Sequence, residues 1–298
     1  MIVFVYKTGF KNSVDGKNFK PLRKNSKENH SPAVLCSHAS NETESMCSDS
    51  SDDTRGVRGE TGARSMMIHC IWEHNGDDSL LYAVEPIGAY ARGENLDTAL
   101  KKMPGEVASY YKWRGQTVPG CLKISVAGEK ASTLTIRDAD SDVLLPSEIP
   151  PLTATEYEEL KALALHSARD FLALYESIPD KDAAAAPLRQ TFYGPVPRTA
   201  REMYEHTKNV NAYYFGEIGV EANNSGTIYE CRQRGFEVLE SRPDFLQNML
   251  YHGSYAEDWT LRKVLRRFVW HDRIHAKALY RMGTQLFGAR NIENPFHF

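Results

Sequence analysis

The sequence lacks the features that mark secreted, membrane-spanning and nucleic-acid-binding chains. Its five cysteines are odd in number and form no Cys-x-x-Cys pair, which disfavours a disulfide framework and favours a reduced, cytoplasmic protein. No apolar run approaches the roughly 18 residues that span a bilayer, and the N-terminus has no signal-peptide pattern. A net charge of -3 over 298 residues gives no global attraction to nucleic acid or to an anionic membrane. We therefore expect neither nucleic acid nor membrane as a partner.

Residues 1–65 are also poor in apolar residues and in hydrophobic periodicity. The stretch SHASNETESMCSDSSDDTRGVRGETGARS cannot bury enough apolar surface to offset the entropy lost on ordering. We predict a disordered leader here. A second interpretation is that translation begins at Met66 or Met67, in which case the leader is not part of the native protein.

Residues 66–148 have the pattern of a small α+β domain with the order βββαβ. MIHCIWEH and SLLYAVEP are strand-like and are separated by the turn-forming NGDD, which predicts a hairpin. IGAYARG is a third strand, and the following helix begins after Asn95 as N-cap, with Pro104 dividing or kinking it. CLKISVAGE and STLTIRDA return to strand, and PSEIPP is a linker because proline disfavours helix in the preceding residue.

Residues 152–298 have helical periodicity and predict an all-α four-helix bundle. Capping boxes predict the starts of the first two helices, at Thr155 with Glu158 and at Thr199 with Glu202. The third helix is predicted from Ile228 to about Leu239 and is expected to resume around residues 243–250. The fourth is predicted from Thr260 to Phe287 and stops at Gly288.

The last helix carries His271 and His275, four residues apart and in line with its apolar stripe. That spacing places two imidazoles on one side of a helix, within reach of one ion at about 2.0–2.1 Å. His206 lies on the inward stripe of the second helix. Three inward histidines predict a metal site with open coordination positions, as catalytic sites have. The alternative is that each is an ordinary core histidine.

Other polar residues near this pattern have competing interpretations. Asp272 stands where the zinc-protease motif needs Glu as general base, which disfavours a protease. His166, at the margin of the first helix, is a fourth ligand, a proton shuttle or a boundary histidine. Glu202 and Glu217 share a face with His206 and could orient a ligating imidazole. Cys231, in the third helix, is a substrate-facing thiol or simply a buried one.

The face of the last helix opposite the histidines is rich in cations and predicts a solvated surface rather than a nucleic-acid patch, because no aromatic residues are interleaved with them. These cations are Arg262, Lys263, Arg266, Arg267, Arg273, Lys277 and Arg281.

The segments MYEHTKNVNAYYFGEI and DWTLRKVLRRFVWHDRIHAKALYRM together resemble the DinB-like (YfiT-like) superfamily of metal-binding four-helix bundles. Over residues 152–287, the resemblance implies a divalent ion held by His206, His271 and His275. Imidazole ligands suit zinc, nickel, iron and copper, and we expect zinc or nickel first and iron next. The resemblance also implies a thiol S-transferase or isomerase that uses a low-molecular-weight thiol, such as mycothiol or bacillithiol, on a small-molecule substrate. The alternative is a non-enzymatic, stress-associated metal-binding protein.

Residues 67–127 are similar to the HicB-type antitoxin domain, a partial RNase H-like fold, through the hairpin and EPIGAYARGENLDTAL. The chain has neither an adjoining helix-turn-helix nor the carboxylate set of an RNase H nuclease. A toxin–antitoxin role is therefore the last of the functional hypotheses. The resemblance leaves an interaction module, which either forms a homodimer or covers the metal cleft.

Overall fold

A mixed four-stranded sheet comes first in the computed structural model, which describes residues 65–136, 140–191 and 194–298. The strands are β1 (Ser65–His74), β2 (Ser79–Ala83), β3 (Tyr90–Gly93) and β4 (Cys121–Ala131), in the order β3-β2-β1-β4. β2 pairs antiparallel with β1 and β3, whereas β4 lies parallel to β1. A parallel neighbour requires a crossover, which α1 (Leu96–Trp113) supplies. The α+β character of this region is therefore confirmed. The predicted leader lies outside the described residues, apart from Ser65.

In this region the expected division of a helix at Pro104 is wrong, and so is one predicted strand. Asn95 caps α1 as expected, accepting a bond from the backbone N of Thr98, but Pro104 does not divide the helix, which continues to Trp113. Met103, immediately before the proline, is fully buried against the sheet, and this packing opposes the loss of one helical hydrogen bond.

Residues 132–136 of the stretch STLTIRDA form no strand. There, the Ser132 hydroxyl accepts a bond from the backbone N of Leu134, and such local side-chain bonds compete with strand pairing. The remainder of that stretch, residues 137–139, lies outside the described part.

From residue 152 the described chain is mostly helical. The helices are α2 (Ala154–Ser177), α3 (Ala200–Glu217), α4 (Ile228–Glu240) and α5 (Leu261–Phe287). None of the helices described here is long and apolar enough to span a membrane.

The ends of these helices follow their capping residues. Thr199 with Glu202 forms the predicted capping box, and Thr260 caps α5. α5 stops at Gly288, whose φ of 84° disfavours residues with a side chain. The box of α2 was wrong by two residues, because the threonine that bonds the helix start is Thr153, with Glu156 returning the bond. The expected resumption around residues 243–250 is only a short 3-10 helix, Phe245–Gln247.

α5 lies at the centre of the described structure and is buried along most of its length. α2 and α3 pack on it, and the sheet region covers another side. Trp270 contacts Tyr82 of β2 and Tyr90 of β3, with ring centroids 5.5 and 6.3 Å apart. The β2–β3 loop approaches so closely that a Cβ on Gly88 would lie 2.6 Å from a methyl carbon of Val269. The sheet therefore packs on the face of α5 that carries the cations.

A short hairpin precedes α5 and lies against α3. Its strands are β7 (Tyr251–His252) and β8 (Asp258–Trp259). A separate antiparallel pair of two-residue strands, β5 (Gln190–Thr191) and β6 (Gly194–Pro195), precedes α3. A carboxylate oxygen of Glu217 accepts a bond from the backbone N of Ser254 at 2.6 Å. This bond ties the hairpin to the end of α3.

Candidate metal centre

The structure brings the three predicted histidines together in the space between α3 and α5. His206, His271 and His275 each offer a nitrogen, and these nitrogens lie within 4.8 Å of one another. The ring centroids are 4.2 Å apart for the α5 pair, and 4.7 and 5.6 Å from His206 to His275 and His271. Imidazoles that share one tetrahedral zinc ion at about 2.1 Å hold their nitrogens roughly 3.4 Å apart, so the three rings must move closer together to share an ion. The three histidines are placed to bind a metal ion.

Burial sets the protonation state of this cluster. His271 and His275 are fully buried and His206 is partly buried. Desolvation lowers the pKa of His206 to about 3. The pKa of His271 lies well below its ordinary value, first because of burial and then because of the two neighbouring histidines; burial acts in the same way on His275. Neutral imidazoles with available lone pairs are the form that ligates metals, so the residues present fit a divalent ion.

The aspartate between the two histidines has a structural partner. Asp272 forms a two-pronged ion pair with Arg232 of α4, with one nitrogen–oxygen contact at 3.0 Å and both side chains fully buried. The same guanidinium donates to the backbone carbonyl of Ala164 in α2 and stacks on the ring of Phe268. Asp272 therefore connects α5 to α4 and α2, which agrees with the prediction that it does not act as the general base of a zinc protease.

The prediction of a solvated cationic face on α5 is wrong. Lys263, Arg266, Arg267 and Arg273 are buried, and Arg281 is exposed. The carboxylates that pair with these buried cations and with one partly buried lysine come from α1 and from segments that precede α5, which periodicity within one helix does not reveal. The pairs are Lys263 and Arg267 with Glu257, Arg266 with Glu148, and Arg273 and Lys277 with Glu106.

The remaining candidate residues lie outside the histidine cluster. His166 contacts Asp170 at 3.1 Å and packs on Trp113 of α1, so it is a boundary histidine. Glu202 accepts bonds from backbone nitrogens at the start of α3, and Glu217 holds the β7–β8 hairpin. The Cys231 thiol is buried, donates to the carbonyl of Ile228 and has a raised pKa because of burial. It is therefore not activated as a nucleophile.

Sequence reasoning missed two residues beside the centre, Arg232 and Met203. Arg232 falls on the apolar stripe of α4, one turn after the buried Ile228, and a lone arginine on such a stripe signals a buried ion pair. Met203 lies one turn before His206 on the inward stripe of α3, and its sulfur lies 3.1 Å from Nδ1 of His275. No sequence signal distinguishes this methionine from an ordinary core residue.

A large cleft of about 990 Å³ lies on a different side of α5 from the histidines. β3, α1, the end of α5 and Phe298 line it. Its charges are mixed: Arg92 pairs with Asp78, and Lys277 pairs with Glu106. Among the described residues no histidine lines the cleft, and the cleft is not part of the candidate metal centre.

Comparison of the chain with protein-family models, with curated proteins and with solved structures found no match.

Proposed function

We propose that this protein binds a divalent metal ion through His206, His271 and His275, and that α2–α5 are a four-helix bundle of the DinB-like kind. The observation that carries the proposal is the meeting of three neutral imidazoles from two helices within 4.8 Å. Imidazole ligands favour zinc, nickel or iron over magnesium and calcium, which prefer oxygen.

We further propose metal-dependent transfer chemistry on a small molecule, with a low-molecular-weight thiol as cosubstrate. A divalent ion with three histidine ligands keeps coordination positions open and would lower the pKa of a thiol or water there. The chain's own residues exclude bulk water and fix the ligands. Tyr214 packs edge-on to His271, with centroids 6.1 Å apart, and also against Phe268. The Arg232–Asp272 pair holds the turn of α5 that carries His271.

Zinc titration with a competing chromophoric chelator tests the metal proposal. We expect one equivalent bound by the wild-type protein and a loss of affinity greater than 100-fold for His206→Ala and for His271→Ala, since even residues that only orient ligands contribute 10–100-fold. His252→Ala is the matched control, because His252 is exposed and pairs with Asp258 outside the cluster. Equal binding by the two alanine variants and the wild type overturns the proposed ligand set.

A second candidate function is metal binding without catalysis, with the sheet region as an interaction module. The full burial of His271 and His275, together with the location of the large cleft elsewhere, favours it. Thiol conjugation to a chromogenic electrophile separates the two functions. Turnover by the metal-loaded protein that disappears in His271→Ala supports the transferase, whereas stoichiometric metal binding with no turnover across a panel of thiols and electrophiles supports the second candidate.

A further inference from the structure

Met203 makes a directional contact with one of the three histidines. Its sulfur lies 3.1 Å from Nδ1 of His275, across the space between α3 and α5, and both side chains are fully buried. A thioether sulfur has lone pairs and carries no hydrogen, so it can only accept a hydrogen bond. A hydrogen bond in this contact therefore needs the ring as its donor, with the proton on Nδ1 of His275.

We propose that Met203 is a positioning residue that holds His275 in the tautomer with the proton on Nδ1, so that Nε2 carries the lone pair offered to the metal. This inference rests on the proposed metal site and deepens it. Ligating histidines usually donate their second ring N–H to a carboxylate, a backbone carbonyl or water, and this bond fixes the tautomer and the ring orientation. Here a buried thioether takes that place.

The local structure of α3 fixes the backbone that carries Met203. Thr207 donates its hydroxyl to the carbonyl of Met203 at 2.8 Å, and the backbone N of Met203 bonds to Thr199, the N-cap of α3. Met203 and His206 are three residues apart, so they lie on the same side of the helix. α3 thus contributes one ligand of its own and the acceptor that orients a ligand of α5.

The choice of acceptor has a chemical consequence. A thioether is a weak, uncharged acceptor, whereas a carboxylate would draw the Nδ1 proton and make the imidazole a stronger electron donor. With Met203 as acceptor, His275 donates less electron density, and an ion at this centre keeps more of its Lewis acidity. The centre also carries no compensating negative charge from this residue, which favours an anionic ligand, such as a thiolate or hydroxide, in an open position.

Three variants of the full chain separate the roles of Met203. Met203→Leu removes the acceptor at similar volume, Met203→Gln keeps an acceptor oxygen, and Met103→Leu is the matched control at another fully buried methionine, in α1. Nitrogen-15 NMR of the imidazoles in metal-free protein gives the tautomer of His275, and chelator competition gives the zinc affinity. Circular dichroism verifies that each variant is folded.

We expect the wild type and Met103→Leu to show a single tautomer of His275 with the proton on Nδ1. Met203→Leu should give a tautomer mixture and about tenfold weaker zinc binding, at the lower end of the usual effect for residues that orient ligands. Met203→Gln should restore the tautomer even though glutamine suits an apolar core less well. A proton on Nε2 in the wild type overturns the inference, as does a Met203→Leu protein with unchanged tautomer and affinity. Wild-type protein that takes up no metal overturns the proposed function itself.

Discussion

The two polar sides of α5 accommodate buried polar groups in different ways. On the cationic side, buried guanidinium and ammonium groups meet carboxylates of opposite charge, as Arg266 meets Glu148 and Arg273 meets Glu106. On the histidine side, three imidazoles lie close to one another, and burial keeps them neutral. A buried charge needs a partner of opposite charge, whereas a cluster of buried neutral bases is a ligand set. The first side is structural, and the second has the composition of a metal centre.

Removing one partner from the cationic side should have the largest effect on stability. Arg266→Met leaves Glu148 buried without its main counter-charge, and such changes cost about 3–5 kcal/mol of unfolding free energy. Urea denaturation measures this loss. Zinc uptake per folded molecule should stay unchanged, because Arg266 lies away from the histidines.

The control for that substitution is the same change at an exposed pair. Arg201 contacts Asp182 at 2.7 and 2.9 Å, and both side chains are more than half exposed. Arg201→Met should leave the unfolding free energy unchanged within error, since solvent screens such pairs. Equal losses at Arg201 and Arg266 would contradict the distinction between a buried and a solvated cation.

Metal bound on the histidine side should raise the free energy of unfolding, whereas an apolar replacement of a histidine there should hardly change it. Zinc at 100 times its dissociation constant should stabilise the wild type by about 2.7 kcal/mol, because it binds the folded state. His271→Leu should remove this stabilisation. Without metal, its stability should lie near that of the wild type, since an apolar residue replaces a desolvated imidazole. Thermal unfolding with and without zinc measures both quantities. Equal stabilisation of variant and wild type would show that the ion binds elsewhere.

These two sides also mark the limit of what the sequence revealed. Helical periodicity and the spacing of His271 and His275 were enough to predict the site, because ligands on one helix face are a local property. Whether Arg266 and Arg273 are buried or solvated depends on Glu148 and Glu106, which are more than 100 residues away in the chain. The same reasoning explains Pro104, where packing against the sheet outweighs a local breaker. Local patterns predicted most of the elements and the three histidines, whereas their surroundings depend on tertiary contacts.

The smallest expected effect is a pH dependence of the metal-free protein. The pKa of His271 is lowered on folding, so the unfolded state binds the proton first as pH falls below about 6.5. Stability is therefore present above that pH and lost below it, at up to about 1.4 kcal/mol per pH unit for this residue. His271→Leu should reduce the slope of the profile between pH 6.5 and 5, and the lowered pKa values of His206 and His275 should account for the slope that remains. Parallel profiles for His271→Leu and the wild type would contradict the neutral, buried imidazole.

X-ray absorption at the metal edge tests the central claim most directly. Protein loaded with one equivalent of zinc should show three imidazole ligands at about 2.0–2.1 Å. His271→Ala should bind weakly and lose one imidazole from the spectrum of whatever metal it retains. A wild-type protein that retains no metal, or a spectrum without imidazole scattering, would contradict the assignment of His206, His271 and His275 as a metal centre.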